Sequence, residues 1–380
     1  MFITNFDLDI LIQGVLVALL AIFFIFQLVP LLARQNKLNK FSQADDLPVL
    51  DIPISVIVSA RNEAKNLKTL VPNLLQQLYP QFELVIVNDC SIDESKWVLE
   101  DLQAQYPSLK IVTVTESRNY KTGKKFAVTM GIKAAKYDCL LFTDADCIPA
   151  SENWISRMAL HFLDPENQIV LGYSPYYKTG GFLNSIIRFE TIKTAINYFS
   201  AALKGNAYMG VGRNLAYRKA LFFDNKGFAS HMHIMSGDDD LFINETATKY
   251  NTAIELHPDS FVYSEPKSSV LAWFRQKRRH MGAGKFYKAR HKRMLGADAL
   301  TGLLFYVSFF MCLAFQYAAY IAIGLFIIRW LCQVLVYRKQ FKRLEGRDLR
   351  WFLPFYDLVY YLYLNVFGLI GMFTKSMRWK

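Results

Sequence analysis

Apolar residues are concentrated near the two ends of the chain. The uncharged run 10–32 is long enough to cross a bilayer as one helix, and it lacks the small-residue site at which a signal peptide is cut. The block 297–337 is about twice the length that one helix needs, and this predicts a hairpin of two spanning helices that turns near Gln316 and Tyr317. The stretch 351–373 is also apolar but polar residues interrupt it, so it either spans the membrane or lies at its surface.

Basic residues border these segments. Arg34, Lys37 and Lys40 follow the first run, and lysines and arginines lie on both sides of the hairpin. By the positive-inside rule, the segment between the membrane regions is cytoplasmic, which predicts a multi-pass protein of the inner cell membrane. The net charge is +12, but because the basic residues lie beside membrane segments we expect anionic lipids rather than nucleic acid as partners.

Residues 51–292 alternate between short β-branched runs and amphipathic stretches. The expected strands are Ile54–Ser59, Glu83–Val87, Ile111–Val114 and Leu140–Phe142, and the regular alternation fades after about residue 172. Such alternation predicts an α/β domain with a mostly parallel sheet. Apolar residues in 182–203 have helical spacing, and this helix either lies on a membrane surface or faces the core.

Polar groups follow three consecutive expected strands. They are Arg61-Asn62-Glu63, Asn88-Asp89 and Asp144-Ala145-Asp146. The carboxyl ends of such strands face one crevice, so these groups should converge on one ligand. Two neighbouring carboxylates repel each other unless a cation lies between them, and a divalent metal also binds phosphate oxygens. The basic stretch Lys121-Thr122-Gly123-Lys124-Lys125 precedes a helix and favours phosphate as well.

A second acidic cluster lies further along the chain. Asp238, Asp239 and Asp240 are consecutive, and three adjacent carboxylates require solvent, metal or a role in proton transfer. The cations of Gln276-Lys277-Arg278-Arg279-His280 then precede the membrane hairpin. The five cysteines have no paired spacing, so neither disulfides nor a zinc site is expected.

Six motifs, in this order, resemble those of the membrane-associated inverting glycosyltransferases of family 2, over about residues 54 to 280. They are Ser59-Ala60-Arg61-Asn62-Glu63, Val87-Asn88-Asp89-Cys90-Ser91-Ile92-Asp93, Gly123-Lys124, Asp144-Ala145-Asp146, Asp238-x-Asp240-Leu241 and Gln276-x-x-Arg279. The resemblance implies a GT-A fold, with a Rossmann-like α/β domain in the cytoplasm flanked by transmembrane helices. It also implies a nucleotide-diphospho-sugar donor, with UDP as the usual nucleotide, and Mg²⁺ or Mn²⁺.

The same resemblance implies roles on the donor side. Ala60 and Glu63 match the first nucleotide contacts, and Asp89 matches the carboxylate that holds uracil. Lys124 resembles the basic nucleotide contact, and Asp144 matches the residue that lies against the ribose and the sugar of the donor. Asp146 resembles the metal ligand.

Roles on the acceptor side follow in the same way. Asp238 matches the general base, although Asp239 is close enough to contest that role. The segment Gly212-x-Asn214 resembles the one that shapes the acceptor pocket. Gln276 and Arg279 match the pair near the diphosphate and the acceptor.

Two positions depart from the family pattern. Gly237 replaces the Glu before the catalytic Asp, and His280 replaces the Trp that lines the acceptor site of polymerising synthases. We therefore expect one sugar to be transferred to a lipid or lipid-linked acceptor, with a processive polysaccharide synthase as the alternative. A nucleotidyltransferase and a non-catalytic membrane scaffold are more distant alternatives.

Overall fold

The computed structural model describes residues 5–116, 123–234 and 236–373. Lys121, Thr122 and the basic residues after Phe373 lie outside them. The helices are α1 (Asn5–Pro30), α2 (Lys37–Lys40), α3 (Ala64–Leu75), α4 (Ser95–Gln105), α5 (Lys124–Ala134), α6 (Trp154–Ala159), α7 (Phe182–Ala202), α8 (Lys219–Asp224), α9 (Asp240–Thr246), α10 (Val270–Met281), α11 (Ala289–Cys312), α12 (Gln316–Arg343) and α13 (Leu353–Phe373).

The strands are β1 (Ile54–Ala60), β2 (Phe82–Asp89), β3 (Leu109–Val114), β4 (Cys139–Asp144), β5 (Cys147–Pro149), β6 (Ile169–Leu171), β7 (Leu215–Arg218), β8 (Thr252–Ile254) and β9 (Val262–Ser264). Seven of them form one sheet in the order β3-β2-β1-β4-β7-β6-β8. β1 pairs in parallel with β2 and β4, whereas β7 is antiparallel to β4 and β6. The mostly parallel α/β sheet expected from the sequence is confirmed.

Two compact units make up the chain, and the sheet belongs to the one that spans residues 42–287. Its β-branched and leucine-rich strands are buried because helices pack against the sheet. A Cβ atom on Gly131 of α5 would lie 2.7 Å from Ile57 and 2.9 Å from Val87. This glycine therefore lets α5 lie close against β1 and β2, which carry the site.

Helix α7 is buried within the same unit. Most of its side chains are enclosed, including the charged Arg188, Glu190 and Lys193. Glu190 accepts a hydrogen bond from Lys277 of α10, so this buried charge of α7 is paired inside the protein. Of the two interpretations of this segment, the helix that faces the core agrees with this burial.

The second unit, 1–41 with 288–373, contains four helices that are long and apolar enough to cross a membrane. They lie within Leu8–Lys40, Ala289–Cys312, Ala318–Arg343 and Arg347–Ile370. The hairpin turns at residues 313–315, slightly before the predicted position, because α12 already begins at Gln316. The last apolar stretch is thus a helix of spanning length.

Polar side chains from all four of these helices meet inside the membrane unit. Arg329 of α12 lies 2.7 Å from the Asp357 carboxylate of α13 and 3.3 Å from Gln27 Oε1 of α1. The Tyr306 hydroxyl of α11 donates to Asp357, and the Tyr361 hydroxyl donates to Gln27. Asp357, which made 351–373 ambiguous in the sequence, is therefore buried against a cation.

Candidate active site

Three strands of the sheet bring polar groups to the same edge. In the β1 register, Ala60 is opposite Asn88 of β2, and Ser59 is opposite Asp144 of β4. Because all three strands are parallel, their carboxyl ends open onto one cleft. The structure therefore brings these three polar groups to one edge of the sheet, as expected from the sequence.

The loops after β1 and β2 are tied to each other. Asn62 has a left-handed backbone, with φ of 57°, and its side chain accepts a hydrogen bond from the Ile92 N–H at 2.9 Å. The Glu63 N–H donates to Ser95 Oγ at 2.9 Å, and the Glu63 carboxylate accepts from Asn66 at 2.6 Å. These bonds hold the two loops as one surface beside the cleft.

Asp89 is the last residue of β2 and is only 1% exposed. Neither of its carboxyl oxygens has a hydrogen-bond partner among the described residues. Burial raises the pKa of Asp89, and the charge of Arg61 and the adjacent Cys90 thiol, which lies outside good hydrogen-bond geometry, partly oppose that effect. A buried acceptor without a donor is costly, and such a group suits a ligand that brings its own N–H.

Lys124 lies at the first turn of α5 and contacts two carboxylates. Its Nζ atom is 2.9 Å from Asp144 Oδ1 and 3.1 Å from Asp238 Oδ2. Burial alone would lower the pKa of Lys124, but Asp144, Asp238 and Asp239 raise it well above its usual value. Burial alone would raise the pKa of Asp144, but the positive charges of Lys124, Arg213 and Arg279 lower it. The site therefore keeps this pair ionised.

Asp146 differs from Asp144 in being exposed. Within the described chain, its carboxylate has a single hydrogen-bond contact, to the Cys147 thiol at 3.5 Å. The same residues contain no group of three or more side chains that could enclose a metal ion. An exposed carboxylate fits a hard divalent ion that takes its other ligands from water and phosphate oxygens.

The three consecutive aspartates have different partners. Asp239 accepts from the backbone N–H groups of Gly212 and Asp240, both at 2.8 Å. Asp240 accepts from the Tyr287 hydroxyl at 2.8 Å, and burial raises the pKa of Asp240 to about 8. Only Asp238 of the three contacts Lys124 in the cleft, so the geometry distinguishes it from Asp239.

The backbone before this cluster has no room for the family's glutamate. Gly237 has a φ of +89°, a conformation that strains any residue with a Cβ atom. A Cβ atom there would also lie 2.5 Å from Leu241 Cδ1. The departure from the family pattern at this position is thus built into the local fold.

Helix α10 supplies the last pair of expected site residues. The Gln276 side chain lies 3.3 Å from the Tyr176 hydroxyl, and the Arg279 carbonyl accepts from Ser236 Oγ at 3.3 Å. The charge of Arg279 also contributes to the lowered pKa of Asp144. Arg279 is therefore near enough to Asp144 for its charge to act there.

Two further basic residues lie near the site: Lys125, which the sequence indicated only as part of a basic stretch, and Arg213, which it left unspecified. Lys125 donates to the carbonyls of His231 at 2.6 Å and Ile234 at 3.0 Å, so α5 holds the loop that leads to Asp238. Burial lowers the pKa of Lys125 to about 8. Arg213, the unspecified residue of Gly212-x-Asn214, influences Asp144 by its charge. The sequence pointed to each residue only through a motif at or next to its position: Gly123-Lys124 for Lys125 and Gly212-x-Asn214 for Arg213.

Two family models match the chain. The model described as glycosyl transferase family 2 matches residues 55–224, and the one described as glycosyl transferase family group 2 matches residues 140–369. The probable glycosyltransferase YdaM of Bacillus subtilis is 23% identical over 263 residues, which are 64% of this chain and 60% of that protein. A 4,4'-diaponeurosporenoate glycosyltransferase of Staphylococcus haemolyticus is 28% identical over 169 residues, 43% of this chain and 42% of that protein.

The chain thus spans less than two thirds of the length of these two relatives. Among solved structures, mannosyltransferase PcManGT from Pyrobaculum calidifontis, in complex with GDP-Man and Mn²⁺, is similar with a TM-score of 0.61. The two are 18% identical, and the similarity covers 93% of this chain and 98% of that one, which shows a shared fold. The chain belongs to glycosyltransferase family 2, and its sheet is that of a GT-A fold.

Proposed function

We propose that this protein is an inverting glycosyltransferase of the inner cell membrane that transfers a sugar from a nucleotide-diphospho-sugar to a lipid or lipid-linked hydroxyl. Residues 51–292 form the cytoplasmic catalytic domain in this proposal. The observation that carries it is the position of Lys124 between Asp144 and Asp238. The Lys124 ammonium group thereby links Asp144, a carboxylate of the expected donor site, to Asp238, the carboxylate expected to act as base.

The donor binds at the carboxyl ends of the strands. Ala60, Glu63 and Asp89 contact the nucleotide, with Asp89 accepting from the base, and Lys124 and Asp144 contact the phosphate and sugar parts. UDP is the first candidate nucleotide, and GDP is the second because the similar mannosyltransferase structure holds GDP-Man.

Asp146 is the residue that would hold Mg²⁺ or Mn²⁺. Such an ion, when bound, neutralises charge that develops on the departing diphosphate. Arg279 and Gln276 of α10 complete the site from the other side, where Arg279 adds positive charge. Preorganised charge of this kind is expected to supply a large share of the rate enhancement.

Asp238 acts as the general base in the transfer step. Its carboxylate takes the proton of the acceptor hydroxyl while that oxygen attacks the anomeric carbon. The bond from this carbon to the diphosphate oxygen breaks, and its electron pair leaves with the nucleoside diphosphate. A single displacement inverts the anomeric carbon.

The acceptor is a single lipid or lipid-linked molecule rather than a growing polymer. His280 in place of the family's Trp supports this choice, as does the number of helices of spanning length, which is four among the described residues. Those helices confine the enzyme to a bilayer, where lipid hydroxyls are concentrated.

A panel of nucleotide-sugars tests the proposal. Detergent-solubilised protein is incubated with each sugar, Mg²⁺ or Mn²⁺ and a total lipid extract, and released nucleoside diphosphate and new lipid masses are measured. Metal-dependent release with one added sugar mass supports the proposal. Long polymer would favour the synthase. Pyrophosphate release in a parallel incubation with nucleoside triphosphates and a sugar phosphate would favour a nucleotidyltransferase. No release with any donor would favour the scaffold.

A further inference from the structure

Arg213 has a rigidly held backbone at the edge of the cleft. The N–H of the preceding Gly212 donates to Asp239 Oδ2 at 2.8 Å. The following Asn214 is fully buried, and its side chain accepts from the Trp154 indole at 3.0 Å and donates to two backbone carbonyls. The position of Arg213 is thereby fixed from both sides.

The guanidinium of Arg213 is held just as firmly. Its Cζ atom lies 4.5 Å from the centroid of the Tyr176 ring, and Nη2 donates to the Ser174 carbonyl at 3.3 Å. The Tyr176 hydroxyl in turn lies 3.3 Å from the side chain of Gln276. Stacking on an aromatic ring orients a guanidinium while leaving its edge available for hydrogen bonds.

The other terminal nitrogen of this guanidinium has no partner. Nη1 is enclosed and makes no hydrogen bond to any described residue, and no carboxylate among those residues lies within ion-pair distance of Arg213. A buried N–H of a charged group without an acceptor is costly. Lys124, by contrast, is already engaged by Asp144 and Asp238.

We propose that Arg213 binds a phosphate group in this cleft, with Nη1 donating to a phosphate oxygen. The inference rests on the proposed function and extends it to a residue whose type the family pattern leaves unspecified. A guanidinium matches the geometry of phosphate oxygens, and Lys124 rather than Arg213 pairs with the Asp144 and Asp238 carboxylates. The phosphate belongs either to the donor diphosphate or to a phosphorylated lipid acceptor.

Two substitutions and a matched control test this assignment. Arg213→Gln removes the positive charge, and Arg213→Lys keeps the charge but loses the planar guanidinium with its several N–H donors. Arg218→Gln is the control, because Arg218 at the other end of β7 also stacks on a ring, that of Phe162, and donates to a backbone carbonyl. All variants are full-length protein in detergent, and their melting temperatures are compared first.

Binding of UDP, GDP, UMP and GMP is then measured with Mn²⁺ by calorimetry. If the donor supplies the phosphate, Arg213→Gln weakens diphosphate binding by about ten- to hundred-fold while monophosphate binding changes less. If the acceptor supplies it, diphosphate binding is unchanged and the KM for phosphatidylglycerol, a lipid with both a phosphate and free hydroxyls, rises by a similar factor. Arg218→Gln changes neither quantity.

The inference is overturned if Arg213→Gln and Arg213→Lys both match wild type in diphosphate affinity and in acceptor KM. It is also overturned if Arg213→Gln fails to fold and Arg213→Lys is unchanged in both measurements. If the wild-type protein binds neither UDP nor GDP, the proposed function fails, and this inference fails with it.

Discussion

Lys124 Nζ lies 3.1 Å from Asp238 Oδ2, although the two residues belong to motifs more than 100 positions apart. The same nitrogen contacts Asp144, so the first turn of α5 joins the donor end of the cleft to the acceptor end. The carboxylate proposed as the base is therefore held in place by the same lysine that contacts the donor side. This contact underlies the first prediction.

Asp238→Asn is expected to lower kcat by about 10²- to 10⁴-fold, because the amide cannot accept the hydroxyl proton. Nucleoside diphosphate affinity should stay within about two-fold of wild type, since the amide still contacts Lys124. Steady-state kinetics and calorimetry measure the two quantities. Loss of nucleotide binding together with activity would instead make Asp238 a structural residue or a metal ligand.

Asp146→Ala is expected to weaken metal-dependent donor binding by at least about ten-fold, because an exposed carboxylate that would hold the ion is lost. Chelation with EDTA should weaken wild-type binding to a similar level and affect the variant little. Titration with Mn²⁺ at fixed nucleotide measures this. An unchanged metal requirement in the variant would remove Asp146 from the metal site.

Asp89→Asn is expected to raise the melting temperature without nucleotide, because a buried carboxylate with no hydrogen-bond partner is removed. The same change should lower UDP affinity by about ten-fold, since an ionised acceptor for the base is lost. Thermal unfolding with and without UDP checks both effects. A lower melting temperature together with normal UDP affinity would contradict this role.

Asp240→Asn is expected to stabilise the protein more at pH 8 than at pH 5. Burial raises the pKa of Asp240 from 3.8 to about 8, so the folded state binds more protons than the unfolded state between these values. Wild-type stability therefore falls as the pH rises through this range, and the amide removes that loss. Melting temperatures of the variant, the wild type and the exposed control Asp101→Asn at both pH values test this. Equal differences at the two pH values would contradict it.

Arg329→Met is expected to destabilise the membrane unit by about 3–5 kcal/mol, because it leaves Asp357 buried without its cation. The double substitution Arg329→Met with Asp357→Leu should recover most of that loss. Arg338→Met, at an exposed position on α12, is the control. Thermal unfolding in detergent compares the variants. A double variant as unstable as the single one would show that the ion pair is not the cause.

The sequence determined which segments are apolar and where polar residues follow strands. The alternation of β-branched runs with amphipathic stretches indicated parallel strands joined by helices. Because the carboxyl ends of such strands meet at one edge of the sheet, Asp89, Asp144 and Asp146 could be assigned to one cleft. The first spanning helix and the hairpin followed from length and hydropathy, whereas 351–373 was left open between a spanning and an interfacial helix. These are local properties of the chain.

The tertiary structure decided which residues distant in sequence contact each other and which role each can therefore have. The family resemblance favoured Asp238 as the base and left Asp239 as a rival, and the contacts of the three aspartates with Lys124, Gly212 and Tyr287 distinguish them. Arg213 became a candidate once its ring contact and its unpartnered nitrogen were located. Asp357 is buried because Arg329 of another helix faces it. Such partners come from elements that approach only on folding, and no local pattern encodes them.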